Sequence, residues 1–315
     1  MATTARNKPL RAAGRRWSLL AILDAWISRN IPRVFPAPAV LAMAILLLLP
    51  LCYTLYLSFH QWYVSNLTSP KFVWFANYAA LVTKDGRFWP AVFRTLYFTA
   101  ASVILATAAG LGVAHVLVRE FPGRGAARTL ILLPMIATPV AMALVWTIMM
   151  SPTLGVLNYL LRGLGLPPAL WLASERGVIP SLLLVETWMW TPMTALICLA
   201  GLASLPLEPF ESARVDGATG WQTFWFITLP LMRSTLVVAA LFRMIDALKV
   251  FDTIYVMTEG GPGFASETLN IYVFQTSFKY LNMGYASALI MLFFALVLGA
   301  SVLLLSARRA EPATS

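Results

Sequence analysis

Long apolar runs broken by short polar segments set the pattern of this chain. Six runs reach the ~20 residues that a helix needs to cross a hydrocarbon core: 37–59, 96–118, 129–150, 179–203, 229–257 and 285–306. The fourth and fifth carry ionisable residues, Glu186 in "LVETWMW" and then Arg243, Asp246, Lys249 and Asp252. Those two are the least like simple lipid-facing helices, because charge at membrane depth is unfavourable. The pattern predicts an all-α integral membrane protein with six transmembrane helices.

Shorter segments add to this. Leu19, Leu20, Ile22, Leu23, Trp26 and Ile27 recur at helical spacing between Arg15/Arg16 and Arg29. This predicts an N-terminal amphipathic helix on the membrane surface; a partly ordered basic tail is the alternative. "TLGVLNYLLRGLGLP" (153–167) predicts a short re-entrant or interfacial helix, and "TEGGPGF" (258–264) a turn that ends the fifth run. With no internal repeat of 20–50 residues, one membrane domain covers 36–307. A basic tail, 1–35, precedes it and a short one, 308–315, follows.

Composition agrees with the pattern. The chain is 59% hydrophobic and 11% charged, against about 25% charged in soluble domains, which excludes an ordinary soluble enzyme. The net charge of +10 would suggest nucleic acid in a soluble protein, but its distribution says otherwise. Arg6, Lys8, Arg11, Arg15, Arg16, Arg29 and Arg33 precede the first run; Arg119, Arg124 and Arg128 follow the second, Arg214 and Arg233 the fourth, and Arg308 and Arg309 the sixth. The alternate loops hold fewer: Lys71, Lys84, Arg87, Arg94, Arg162, Arg176 and Lys279. By the positive-inside rule both termini and the loop after the fourth run are cytoplasmic. The first 36 residues are too basic and too long before the apolar run for a cleaved signal peptide.

Several chemistries are absent. Cys52 and Cys198 both lie in apolar runs, so no disulfide framework or cysteine metal site is expected, and two distant histidines suggest no metal cluster. No G-x-x-x-x-G-K-[ST] loop occurs, so the chain is expected to bind no cofactor and to draw any ATP energy from elsewhere. No paired nucleophile and base supports an intramembrane enzyme.

The loop "ESARVDGATGWQTFWFITLP" (211–230) is too structured for a plain connector. Pro209 fits a first helical position and Gly217 the residue just past a helix end. The helix between them has about two turns, marginal unless it packs on something. Glu211 suits the positive end of the helix dipole, one account of its presence. Ser212, Ala213, Gly217, Ala218 and Gly220 form a surface without bulk, and the amphipathic run 221–229 follows. Two short helices joined by a small-residue elbow make a docking knob.

The spacing here resembles a known family. Glu211-Ser212-Ala213, three residues, Gly217, nine residues and then Ile227-Thr228-Leu229-Pro230 is similar to the EAA motif of ABC importer permeases, with Ser212 in place of the usual Ala. Asp216-Gly217-Ala218 is similar to the carbohydrate-uptake branch, of the maltose and glycerol-3-phosphate type. "PLCYTLYLSFHQW", "FANYAAL", "GRGAARTLILLP", "WTPMTALICLAGLASLP", "FDTIYVMTEGGP" and "GYASAL" extend the likeness, in order, over nearly the whole chain from about Pro36.

The resemblance implies a type I ABC importer permease fold in a bacterial inner membrane, with 207–229 as the coupling loop. Glu211, Ser212, Ala213, Asp216, Gly217 and Ala218 would seat in a cytosolic ATPase subunit, Glu211 pairing with a basic residue there. Implied partners are a second, homologous permease, two copies of the ATPase, which binds ATP and magnesium, and an extracytoplasmic substrate-binding protein. The substrate would be a carbohydrate or polyol. No catalytic role is implied for this chain.

Within the membrane, Glu186, Trp188, Trp190, Asp246, Asp252 and Tyr255 are candidates for the substrate pathway. Carboxylates take sugar hydroxyls and aromatic faces take the C–H side of the ring. An interfacial belt position is the alternative for each Trp. Mutual neutralisation along the helix is the alternative for Arg243, Asp246 and Lys249, since oppositely charged residues at i, i+3 can pair. His115, beside Arg119 and Glu120, fits a satisfied interfacial histidine better than a proton relay. A self-contained ion-coupled transporter using Glu186, Asp246 and Asp252 is the competing function. The missing internal repeat and the coupling loop count against it.

Overall fold

The computed structural model describes residues 26, 28–65 and 69–309. The predicted N-terminal amphipathic helix thus lies outside the described residues apart from Trp26, as does most of the C-terminal tail. The chain divides into two units, residues 1–53 and 54–315. The first holds most of α1, Ala37–Ser58, an apolar helix with Pro50 inside it.

In the larger unit α2, Phe88–Leu117, and α4, Val178–Ala203, form the central pair, and α6, Arg233–Leu248, packs on both. Small residues permit the close approach. A Cβ at Gly110 would lie 2.2 Å from Oγ1 of Thr194, whose hydroxyl already donates to Ala106 O at 2.7 Å. Between α2 and α4, α3 (Pro139–Met149) follows helical residues 124–136 after a bend of 95°. Ala137 and Thr138 are extended there, as the residue before a proline tends to be. The predicted third span is therefore a broken one.

Four helices among the described residues are long and apolar enough to cross a membrane, or up to six if each bent pair counts as one span. The fifth run departs most from a single predicted helix. It bends by 68° between Gly220–Leu231 and Arg233–Leu248. The α-helix then stops at Leu248 and resumes as α7, Asp252–Thr258, which ends at a left-handed Glu259 in the predicted "TEGGPGF" turn. The helix α8, Leu269–Phe274, continues through a π-helical turn over Gln275–Lys279 and leads to α9, Met283–Arg309.

Apolar clusters tie the ends together. Val178, Leu182, Met189, Ile254, Met257 and Ile271 close the bundle at one end, while Leu111, Ala114, Cys198 and Met232 close it beside the 204–230 loop. The 153–167 segment holds the predicted short helix, Val156–Gly163. Buried Asn158 fixes it, donating to the carbonyls of Pro152 and Ala169 (both 3.0 Å) and accepting from the Trp171 indole at 2.9 Å.

Candidate functional site: a polar cleft and an exposed elbow

The helix α5 spans Glu208–Val215, one residue earlier than the Pro209 start read from sequence, because Glu208 supplies the first position and proline fits the second equally well. Glu208 and Glu211 occupy its first turn. Its end is closely defined. Gly217 has φ +73°, its N–H donates to Arg214 O (3.2 Å), and the Ala218 N–H donates to Ala213 O (2.9 Å). These two bonds form a Schellman motif, which satisfies carbonyls that the helix end would otherwise leave unpaired. Thr219 and Gln222 then start the next turn with a capping box.

Glu211, Ser212, Asp216 and Gly217 are exposed, Ala213 is buried and Ala218 is half-buried. Asp216, Gly217, Ala218, Gln222 and Phe226 help to line a shallow cleft of about 320 Å³ on the elbow. Trp221 and Phe226 are exposed beside it. The elbow is rigidly capped on both sides and offers small residues at its surface.

Within the bundle, Arg243 on α6 turns away from its own helix. Its Nη2 donates to Glu186 Oε1 and to Ser102 Oγ, both at 2.5 Å, joining α6, α4 and α2. Its guanidinium also lies 5.1 Å from the Trp190 ring centre. Pairing of Arg243 along its helix, the alternative raised by the i, i+3 spacing, is thereby corrected: its carboxylate comes from another helix. Of the fifth-run charges, Asp246 and Lys249 do pair along the chain, at 3.7 Å. The break after Leu248 sets Asp252 on a separate helix.

A cleft of about 250 Å³ adjoins the ion pair, lined by Glu186, Trp190, Asp246, Asp252, Lys249, Phe251, Thr253 and Pro139. The structure thus brings together four of the six residues picked out as pathway candidates. Trp188 faces elsewhere, edge-on to Trp146 in a separate apolar groove. Residues two apart on a helix point to different faces, so Trp188 and Trp190 do not share a site. Tyr255 does not line the cleft but stacks on Phe251, which does. Phe251 and Thr253 escaped the sequence reading, and Lys249, read there only as a partner in neutralisation, also lines the cleft. The i, i+4 spacing of Phe251 and Tyr255 was the signal available for Phe251.

Nε and Nη1 of Arg243 are buried without a hydrogen-bond partner among the described residues. Buried donors of this kind are uncommon, and they leave hydrogen-bonding capacity next to the cleft. His115 is within 3.2 Å of an Arg119 guanidinium nitrogen and packs edge-on against Phe224.

A second polar cluster lies at the end of the bundle away from the elbow. The Asp85 carboxylate accepts from Tyr272, from Tyr285 at 2.6 Å and from the Arg87 backbone N–H at 2.8 Å. Burial opposes its charge, but these hydrogen bonds win and hold its pKa below the ordinary carboxylate value. The Arg87 side chain pairs with buried Glu267 and donates to Gln275 at 2.8 Å.

Apolar helices around a polar cleft, with a capped elbow at one end, define a membrane transport component. The chain belongs to the family of binding-protein-dependent transport system inner membrane components, whose sequence pattern matches residues 102–313. It is 37% identical over 268 residues to a probable ABC transporter permease of Sinorhizobium fredii, covering 85% of this chain and 86% of that one. It is 34% identical to the trehalose/maltose transport system permease protein MalF of Thermococcus litoralis, covering 86% and 91%.

In a crystal structure of a bacterial ABC transporter involved in the import of the acidic polysaccharide alginate, one chain matches the fold with a TM-score of 0.77 at 22% identity. The match covers 92% of this chain and 99% of that one. The protein is an ABC importer permease, a non-catalytic membrane subunit, and the ion-coupled alternative finds no support among these relatives.

Proposed function

We propose that this chain passes a carbohydrate, whether mono- or disaccharide, polyol or a related compound, across a bacterial inner membrane. The sugar arrives on an extracytoplasmic binding protein, and ATP is hydrolysed by two cytosolic ATPase subunits that hold the nucleotide and magnesium. A second, homologous permease supplies the other half of the pathway, and both termini of this chain face the cytoplasm. The sugar specificity is supported by the name of the Thermococcus relative and by a cleft that pairs carboxylates with an indole ring.

One observation carries the coupling. The helix α6 follows the elbow across the 68° bend and carries Arg243 and Asp246, with Lys249 just past its end, so a single helix runs from the bend beside the docking surface to the cleft. On this reading the elbow seats in the ATPase, with Glu211 paired to a basic residue and Ser212, Ala213, Asp216, Gly217 and Ala218 fitting closely. Closure of the two ATPases displaces the elbow. The displacement pivots α6 at the 68° bend and is relayed to α4 through Arg243 and Glu186. In the cleft, Asp246 and Asp252 accept hydrogen bonds from sugar hydroxyls while Trp190 covers a C–H face.

Proteoliposomes carrying the captured transporter and its binding protein test this. Sugar uptake is expected only with ATP at the ATPase face, and Asp246→Asn is expected to reduce uptake while preserving assembly. Uptake driven by an ion gradient without ATP would overturn the reading.

A further inference from the structure

Four aromatic rings form a continuous series that starts at the cleft. Phe251, in its wall, stacks on Tyr255 with 5.1 Å between centres and also meets Phe274 at 5.1 Å. Tyr255 and Phe274 are 4.8 Å apart, and Phe274 and Phe278 are 5.1 Å apart. The rings belong to two segments running side by side away from the cleft. Asn270 donates to Val250 O (3.3 Å) near the cleft end, and Gln275 donates to Glu259 O (2.9 Å) near the far end, where Lys279 and Glu259 pair at 3.0 Å.

Phe251 and Tyr255 pack on one side against the main apolar cluster, yet the series as a whole stays partly open. Around it Thr253, Ile254, Met257, Ile271, Gln275 and Thr276 are buried, while Phe251, Tyr255 and Phe274 are only half-buried and Phe278 is 63% exposed. The rings are thus among the open positions of two partly buried segments. Exposed Asp252 lies at one end and the Lys279–Glu259 pair at the other, which suits a wet path rather than a lipid-facing surface. The π-helical turn over Gln275–Lys279, where Tyr280 N–H donates to Gln275 O at 2.9 Å, bears Phe278. Such turns recur at functional sites.

We infer that Phe278, Phe274, Tyr255 and Phe251 are a stacking ladder that carries a pyranose from the mouth of the transporter to the cleft. The inference rests on the carbohydrate reading given above and adds the route of entry. The negative face of an aromatic ring attracts the C–H side of a pyranose, while the hydroxyl edge stays in water. Neighbouring rings about 5 Å apart let the sugar gain one contact as it leaves the last. The terminal ring therefore meets the sugar first.

The test is initial-rate import of tritiated glucose, trehalose and maltose into proteoliposomes holding the whole transporter, with binding protein outside and ATP inside. Phe278→Leu and Phe274→Leu keep apolar bulk without the flat face, and Phe278→Tyr keeps the face. Each leucine variant is expected to import about three- to tenfold more slowly, the scale of one aromatic contact, while Phe278→Tyr stays close to wild type. ATP hydrolysis stimulated by the binding protein, measured on the same preparations, verifies folding and assembly. Equal rates for the leucine, tyrosine and wild-type proteins would overturn the ladder and leave the cleft reading standing. Loss of the second permease from Phe278→Leu preparations would make the ring a subunit contact and also overturn it. A wild type that imports none of the three sugars would remove the pyranose reading and the ladder together.

Discussion

Arg243 Nη2 and Glu186 Oε1 lie 2.5 Å apart on different helices, and each side chain is 1% exposed. Removing one partner strands a buried charge, which destabilises by about 3–5 kcal/mol, whereas apolar replacement of both is often nearly neutral. Arg243→Met and Glu186→Leu alone are expected to lower the melting temperature of the purified transporter strongly. The double variant is expected to recover most of that loss while importing poorly, because the link between α6 and α4 is gone. Thermal melts combined as a double-mutant cycle check this.

The elbow depends on backbone handedness at one position. Gly217 has φ +73°, yet a Cβ there would meet no atom of the described residues within 4 Å, so a side chain brings strain without a clash. Gly217→Val is expected to destabilise the α5 end by about 1–2 kcal/mol. Amide hydrogen exchange over 208–220 is expected to speed up accordingly. Gly220→Ala, where φ is not positive and the space is equally open, is expected to leave it unchanged.

At the crossing of α2 and α4 the constraint is space. A Cβ at Gly110 would fall 2.2 Å from Thr194 Oγ1 and 2.8 Å from the Ala195 backbone nitrogen, but at Gly112 it would meet nothing among the described residues within 4 Å. Gly110→Ala is expected to destabilise by about 1–3 kcal/mol through overpacking, with Gly112→Ala close to neutral. Melting temperatures of the two variants decide it.

Asp85 gives a pH dependence of definite sign. Its pKa is depressed below 3.8 in the folded protein, so the stability it contributes is fully present above that value and is lost as pH falls through the folded pKa. The wild-type melting temperature is expected to drop on acidification below pH 3.8, and Asp85→Asn is expected to flatten that part of the profile. Melts across an acid series measure both.

Length and hydropathy made the helices legible, because a span must be long and apolar whatever it packs on. The capped end at Gly217 was legible too, since turn chemistry is local. The partner of Arg243 was not. Spacing offered Asp246, three residues along a presumed helix, but Glu186 lies 57 positions away and only packing brings it close. Nothing in the periodicity marked residues 249–251 as a break, because after Lys249 the apolar Val250 and Phe251 continue the run. Trp188 and Trp190 looked equivalent as a pair, yet the turn of the helix sends them to different faces. The aromatic series was half visible in Phe251 and Tyr255; Phe274 and Phe278 join it only through tertiary contact.

The most direct test of the account is mild-detergent capture of the tagged chain from its native membrane, with the co-purifying chains identified by mass spectrometry. Recovery of a cytosolic ATPase and a second permease with the wild type, and loss of the ATPase with Glu211→Arg, is the predicted result. A chain recovered alone that still drives uptake in ATP-free vesicles would contradict it.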